Sequence, residues 1–288
     1  MKFILLLLLL CSQALFAQQK IRLNNNWEFV RQDLGGIWEA IRPVVQGNPE
    51  GVPLWDSVTL PHCVNASDAV DPDVNYYQGP AWYRTLLDVQ NPYARGRTLL
   101  HFEGSGQKTT VYVYDMKVGE HVGGYDEWTV DITDAIAEFK KKEVYQKQYK
   151  GKLPISIRTD NSRDLEIIPS GLSDFNLYGG IYRYLNLVYV PELSIDKLFV
   201  HTETTKDGKQ GRIQVEARLH NPSAIPFAQM EIKLIDPQGK TVQQVEKRVE
   251  IAADDVLLVN WNIKSPQLWS NGKPLLYTVE VVLNTLDN

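Results

Sequence analysis

The stretch SDFNLYGGIYRYLNL, residues 173–187, has the clearest capacity for chemistry, because Asp174 precedes a Gly-Gly-Ile-Tyr-Arg turn. A carboxylate accepts charge-assisted hydrogen bonds strongly, which makes Asp174 a candidate ligand-binding residue. An aspartate beside a glycine turn also caps loops by accepting from nearby backbone N–H groups. The residue pattern alone leaves both roles open.

His62 and Cys63 place a base beside a nucleophile. Adjacent side chains of an extended segment point to opposite faces, so these two are poorly placed to hydrogen-bond with each other. We therefore interpret His62 as a structural histidine. The other four histidines lack the close spacing and companion cysteines of zinc sites, and no metal or cofactor is predicted.

Two arginines and a basic run have competing interpretations. Arg84 and Arg183 are each able to clamp a carboxylated sugar, but we predict that they are buried strand arginines paired with neighbouring acids. The lysine-rich stretch 140–152 is predicted to be a solvated loop, with a polyanion site as the alternative.

Most of the chain alternates apolar and polar residues with period two, which is typical of half-buried strands. The alternation is clear around Val111, from Ile213 to Leu219, and again near Met230 and Val279. Strands recur every ten to twelve residues or so, the spacing of a β-sandwich. Helices are predicted only at residues 134–142 and, more weakly, at 36–41. The pattern Asp-Pro-Gln-Gly at 236–239 predicts a tight turn.

Residues 1–17 are typical of a secretory signal peptide, with Lys2, a short apolar run and Ala17 at the cleavage position. The apolar run is shorter than the roughly 20 residues that span a bilayer. We therefore expect an exported chain, periplasmic or extracellular, that begins at Gln18. Lipid anchoring at Cys11 is the minor alternative.

Charge and cysteine content limit the expected partners and the expected sources of stability. The formal net charge is -5, and it becomes -6 when Lys2 is removed with the signal peptide, so nucleic acid and anionic lipid are not expected partners. Cys63 is then the only cysteine, so no internal disulfide is expected and burial must supply the stability. We predict one sandwich at residues 18–190 and a second at residues 191–288.

Four blocks in the first predicted sandwich resemble, in the same order, the N-terminal domain of glycoside hydrolase family 2, which contains β-galactosidases, β-glucuronidases and β-mannosidases. The blocks are LNNNWEF with Trp27, Trp55 to His62, Tyr77 to Arg84, and Phe102 to Thr133, and the stretch Asp174 to Arg183 is similar to the segment that closes that domain. The segment PQLWSNGKPLLYTVEV, with Trp269 and Tyr277, is similar to the family's immunoglobulin-like module. One departure is Tyr114-Asp115 where the family's hairpin has Asn-Gly, which predicts a longer loop.

The resemblance implies an all-β chain, with a jelly-roll-like sugar-binding sandwich followed by an immunoglobulin-like sandwich. It implies that Asp174 accepts hydrogen bonds from sugar hydroxyls, and that Cys63 stands where relatives have a polar residue near the sugar. Cysteine is a poor partner for a hydroxyl group. The implied ligand is a carbohydrate with a terminal β-linked sugar, and a homo-oligomer through the full-length enzyme is left open.

The family's reaction, retaining hydrolysis of β-glycosides, needs two carboxylates about 5 to 5.5 Å apart. No acid of this chain lies in a local sequence resembling the family's catalytic motifs, and the family's catalytic barrel is expected to be absent from these residues. We therefore predict a β-galactosidase-like family member whose 288 residues hold no catalytic carboxylate and show no turnover alone. The alternatives are a stand-alone carbohydrate-binding or scaffolding protein, and a non-catalytic partner that completes another chain's active site. The acids considered as an internal pair are Asp68, Asp71, Asp73, Glu103, Asp126 and Asp174.

Overall fold

The computed structural model describes residues 19–42, 55–71, 73–170, 176–251 and 255–285. The predicted signal peptide, with Cys11, lies outside the described residues. Contacts divide the described chain into two compact units, of which the second begins at Pro191 and also includes Tyr93–Gly96. Both units are built almost wholly from antiparallel strands, which confirms the predicted all-β class. Within the described residues, no helix has the length and apolar character needed to cross a membrane.

The first unit contains a six-stranded and a four-stranded sheet, in the orders β3-β2-β5-β10-β7-β8 and β1-β12-β6-β9, and a two-stranded ladder of β4 and β11. Its strands are β1 Gln19–Arg22, β2 Trp27–Val30, β3 Asp56–Val58, β4 His62–Cys63, β5 Pro80–Leu87, β6 Arg97–Phe102, β7 Lys108–Val113, β8 Met116–Val122, β9 Trp128–Asp131, β10 Leu153–Asp160, β11 Gly180–Ile181 and β12 Leu185–Val190. Its helices are α1 Ile37–Ile41, α2 Thr133–Lys141 and α3 Val144–Lys147, with a 3₁₀ turn at Asp68–Val70.

The core of the first unit follows from strand alternation. On β5 and β10, Tyr83, Ile155 and Ile157 are fully buried, whereas Arg84 and Arg158 on the alternate positions stay partly exposed. Successive side chains of a strand point to opposite faces, so this alternation gives the six-stranded sheet one apolar face and one mixed face. Burial of the apolar face is the main stabilising term.

The β7–β8 hairpin turns in two residues, because Val113 pairs directly with Met116. The prediction of a longer loop at Tyr114-Asp115 is therefore wrong. Tyr114 adopts a φ of 54°, the left-handed conformation that tight hairpin turns require. Its ring packs 5.0 Å from that of Phe139, a contact that helps hold a tyrosine in this strained position.

The two predicted helical stretches are confirmed as α1 and α2, but the prediction of a solvated loop at residues 140–152 is wrong in part. The stretch contains the end of α2 and all of α3, and it buries Tyr149. Lys142 places its Nζ 2.8 Å from the Asp115 carboxylate, which ties the stretch to the β7–β8 hairpin. The prediction relied on the many lysines and did not consider Tyr145 and Tyr149, whose rings pack on Phe139.

The second unit is the predicted immunoglobulin-like sandwich, made of two three-stranded sheets in the orders β13-β14-β17 and β16-β15-β18. Alternate residues of β14 and β15 form its core, with Val215, Ala217, Met230 and Ile232 fully buried. The Asp236 carbonyl accepts from the Gly239 amide at 2.9 Å, which confirms the predicted turn. Its strands are β13 Ser194–Thr204, β14 Gln210–His220, β15 Phe227–Ile235, β16 Thr241–Glu250, β17 Asp255–Lys264 and β18 Thr278–Thr285.

We predict that Phe139→Ala lowers the free energy of unfolding by about 3–5 kcal/mol, because a fully buried ring is replaced by a cavity. Urea titration followed by tryptophan fluorescence measures the change. Lys140→Ala, at the exposed neighbouring position of α2, is the matched control and should change stability by less than about 0.5 kcal/mol. Equal effects of the two substitutions would show that the Phe139 face of α2 does not contribute to the core.

Candidate functional site

The candidate site is a corner of the first unit where the short strands β4 and β11 pair. Cys63 lies opposite Gly180, and His62 lies opposite Ile181. The Gly180 and Gly106 backbones also exchange hydrogen bonds, at 2.9 and 3.2 Å, so that Gly180 touches two neighbouring segments at once. This double pairing brings the glycine-tyrosine-arginine turn beside Cys63.

Gly180 is required at the centre of this corner. Its φ of 105° is strained for any residue with a side chain. A Cβ atom there would lie 2.5 Å from the Tyr83 hydroxyl and 2.7 Å from the His62 carbonyl oxygen. The close approach of three segments therefore depends on the missing side chain.

Two fully buried amides, Asn65 and Asn161, hold the segment that enters β11. Each Nδ2 donates to the carbonyl oxygens of both Tyr77 and Leu177, over 2.8 to 3.1 Å. The Asn161 Oδ1 accepts from the Gly79 amide at 2.9 Å. Because a buried carbonyl without a donor is costly, the paired amides fix the backbone at Leu177, three residues after Asp174 in the chain.

Sequence reasoning missed both amides as site-shaping residues. Asn161 ends the segment ISIRTDN, which is a strand pattern followed by a polar residue. A buried asparagine just past a strand end is a typical backbone-bonding residue, and that position is the one signal in the sequence that points to it.

A small pocket of about 220 Å³ opens beside the corner. Three tyrosines, Tyr125, Tyr178 and Tyr182, line it together with Cys63 and Ala66. Tyr125 and Tyr178 are 46% and 44% exposed, so both residues are accessible to a ligand. The Tyr182 hydroxyl donates to the Gly124 carbonyl oxygen at 2.5 Å, and burial raises the pKa of that phenol.

Of the two predicted substrate-binding residues, the structure places Cys63 at this pocket, whereas Asp174 lies outside the described residues. The Cys63 thiol donates to the Asn65 Oδ1 at 3.2 Å, and burial raises its pKa. A thiol held protonated is a weak nucleophile. The role of Cys63 toward a sugar stays a prediction.

The structural interpretation of His62 agrees with its surroundings. Its Nδ1 lies 2.9 Å from the Tyr83 hydroxyl, and its ring packs 4.5 Å from that of Phe29. Burial lowers the pKa of the imidazole, which keeps it neutral. Within the described chain no hydrogen bond joins His62 to Cys63, so the pair does not form a nucleophile and its base.

The arginine prediction is confirmed in part at Arg84, which is a paired strand arginine but only half-buried, and it is wrong at Arg183. Arg84 on β5 donates to the Glu28 carboxylate at 2.6 Å and to the Ala40 carbonyl oxygen at 2.9 Å. Arg183 is exposed, lies outside the strands, and donates to the backbone carbonyls of Glu103 and Tyr125. Arg183 lies in the bend between β11 and β12, and its side chain reaches the neighbouring loops instead of the sheet.

The described acids that we considered as catalytic candidates each have a structural role or an exposed position. Asp68 binds Arg31 at 2.7 Å, and that hydrogen bond lowers its pKa. Burial raises the pKa of Glu103, but hydrogen bonds from Asn186 and Lys20 outweigh it and leave the pKa lowered. A general acid needs the opposite shift, so neither carboxylate is prepared for proton donation.

The three remaining described acids are no better suited. Asp126 is mostly exposed and lies 3.1 Å from the His121 ring nitrogen. Asp71 accepts from the Asp73 amide at 3.0 Å, and both side chains are exposed. Across the described ranges, no three His, Cys, Asp or Glu side chains gather as a metal site.

The sequence of the two units matches a known family. Residues 22–191 match the sequence profile "Glycosyl hydrolases family 2, sugar binding domain", and residues 193–288 match "Glycosyl hydrolases family 2". The chain therefore belongs to family 2 of the glycosyl hydrolases, as the sequence blocks predicted.

Individual relatives agree with that assignment. A crystal structure of a β-glucuronidase from Parabacteroides merdae superimposes with a TM-score of 0.89 and 52% identity, over 94% of this chain and 34% of that one. A β-glucuronidase of Bacteroides fragilis is 28% identical over 97% of this chain and 37% of its own length. A β-galactosidase of Thermoanaerobacterium thermosulfurigenes is 27% identical over 91% of this chain and 34% of its own. The chain spans about a third of the length of these relatives.

We predict that Asn65 and Asn161 are energetically coupled. Either substitution to alanine leaves one amide on the Tyr77 and Leu177 carbonyls, but the double substitution leaves both carbonyls unpaired. Each single change should cost about 1–3 kcal/mol, and the double change should exceed their sum by about 1 kcal/mol or more.

A double-mutant cycle by urea unfolding measures this coupling. Gln90→Ala is the control, because this exposed side chain bonds only to nearby Asp88 among the described residues, and it should add independently to either substitution. Additive losses of unfolding free energy for the Asn65 and Asn161 substitutions would show that the two amides do not act together on the Tyr77 and Leu177 carbonyls.

Proposed function

We propose that this chain supplies the sugar-facing sandwich and the following immunoglobulin-like sandwich of an exported, retaining β-glycosidase that acts on β-glucuronides. The observation that carries the proposal is the 52% identity with the Parabacteroides merdae β-glucuronidase over 94% of the chain. Lower identity to a β-galactosidase, 27%, makes β-galactosides the second candidate substrate class. Export rests on the signal-peptide pattern of residues 1–17.

The proposed contribution of the chain to catalysis is binding and support. Retaining hydrolysis needs a nucleophilic carboxylate and an acid with a raised pKa, held about 5 to 5.5 Å apart. Asp68 and Glu103 have lowered pKa values and structural partners, and Asp126 is paired with a histidine. We therefore propose that none of the described acids is a catalytic carboxylate of the enzyme.

Asp174 and the tyrosine pocket form the proposed sugar-facing surface. The backbone at Leu177, next to Tyr178 of the pocket, is fixed by two buried amides, and rigid support of this kind gives the Tyr178 side chain a defined geometry. Tyr125 and Tyr178 present exposed ring faces, which suit the apolar face of a sugar ring. In this arrangement Asp174 orients hydroxyl groups and the tyrosines provide contact area.

Expression of the complete open reading frame tests the substrate proposal. We expect kcat/KM for nitrophenyl β-D-glucuronide to exceed that for the β-D-galactoside by at least about 100-fold, because a site built for one polar group strongly rejects a substrate that lacks it. The reverse preference would overturn the β-glucuronide proposal and favour the β-galactoside. Asp174→Ala in the same protein should lower kcat/KM by about 10- to 1,000-fold, whereas Asp164→Ala, which removes a surface salt bridge to Lys108, should leave it unchanged.

The 288-residue chain alone provides a second test. We expect it to hydrolyse none of the nitrophenyl β-glucuronide, β-galactoside and β-mannoside above the rate in buffer, because its described acids lack the required pair. Near-ultraviolet circular dichroism shows that the sample is folded. Turnover that disappears on Glu103→Gln or Asp68→Asn, in a variant that remains folded, would contradict the assignment of catalysis to other residues.

A further inference from the structure

A second cavity in the first unit lies away from the corner. It is an open cleft of about 1,180 Å³ on the mixed face of the six-stranded sheet, bordered by α1 and by residues just after α3. Its floor includes Arg84 and Leu86 on β5 with Pro154 and Ser156 on β10. Pro80 and Asp160, at the other ends of these strands, lead into the corner, so the cleft and the corner lie roughly 20 Å apart along the sheet.

Two hydroxyl groups in the cleft have no hydrogen-bond partner among the described residues. Ser156 and Tyr149 are 2% and 9% exposed, yet neither side chain forms a hydrogen bond with any described residue. Both oxygens are accessible to solvent in the described structure. Polar groups are normally hydrogen-bonded, so two hydroxyls that face one cleft are available to bond either water or a ligand that displaces it.

The rest of the lining offers complementary polar groups. The Glu28 carboxylate and the Arg84 guanidinium form an ion pair on the floor, and the Glu28 side chain remains 48% exposed. Arg84 is held rigidly, because it also donates to the Ala40 carbonyl oxygen and lies 4.1 Å above the Trp55 ring. Gln148 adds an exposed amide that both donates and accepts.

We propose that this cleft is a second, non-catalytic binding site for an oligosaccharide, which it holds through sugar hydroxyl groups. Sugar hydroxyls donate and accept equally, as do the Ser156 and Tyr149 hydroxyls and the Gln148 amide. The cleft exceeds the 300–1,000 Å³ or so of ordinary small-molecule pockets, which favours a chain of sugars over a single ring. Burial raises the pKa of Tyr149 to about 12, so its hydroxyl remains a donor at neutral pH.

Such a site would retain the protein on a glycan chain whose terminal sugar is cleaved at the separate catalytic site. The separation of about 20 Å between cleft and corner corresponds to several sugar units, so one oligosaccharide need not occupy both. The cleft proposal does not depend on which glycoside the enzyme cleaves. Its failure would leave the proposed hydrolysis untouched, and the reverse also holds.

Calorimetric titration of the 288-residue chain tests the site directly. The probes are cellohexaose and mannohexaose as neutral chains and tetragalacturonate as an acidic chain, each at millimolar concentration. We expect at least one probe to bind, and we expect Tyr149→Phe and Ser156→Ala each to weaken that binding about fivefold, the loss of one hydrogen bond. Binding restricted to the acidic probe would support the same cleft, with the exposed Lys152 at its edge providing the charge.

Matched variants separate this site from the corner. Tyr145→Phe removes a hydroxyl from α3 that lies outside the cleft, and Tyr178→Ala alters the corner pocket. Neither substitution should change the affinity of the cleft for the oligosaccharide. Thermal unfolding midpoints show whether each variant remains folded. The proposal is overturned if no probe binds, if binding ignores Tyr149 and Ser156, or if Tyr178→Ala abolishes it.

Discussion

The antiparallel ladder between β5 and β10 is the constraint on which the rest of the first unit depends. It runs through eight consecutive residue pairs, from Leu153 opposite Leu87 to Asp160 opposite Pro80. Its inward side chains, among them Tyr83 and Ile157, form the core, and its outward side chains form the floor of the cleft. One end of the ladder continues into Asn161 and the corner, so the same backbone hydrogen bonds position both candidate sites.

The corner shows how a sandwich holds irregular backbone rigidly. Segments that lack ladder partners need other donors, and the side chains of Asn65 and Asn161 provide them from buried positions. Gly180 then allows three segments to approach more closely than any side chain would permit. Rigid backbone of this kind suits a surface that has to orient sugar hydroxyls, because a binding group that moves loses much of its contribution.

Alternation and turn chemistry predicted much of this fold from sequence. Period-two patterns identified β14 and β15, and the short helices α1 and α2 were predicted within one or two residues. The errors arose where tertiary packing outweighed composition. The ring of Phe139 holds Tyr114 in a tight turn without glycine, and the lysine-rich stretch buries Tyr149 although its composition indicates a solvated loop.

The sites were harder to predict, because their properties depend on which segments meet in space. A period-two pattern shows that Ser156 and Arg84 share the outer face, but it does not show that α1 and the residues after α3 wall that face into a cleft. Nor does the sequence reveal that Asn65 and Asn161, far apart in the chain, bond the same two carbonyls. Family resemblance predicted roles for Asp174 and Cys63, of which the structure places Cys63 at the corner pocket. The hydroxyls of Tyr149 and Ser156, which have no partner among the described residues, are recognised only when burial and hydrogen bonding are considered together. They make the outer face of this sandwich a second candidate binding surface.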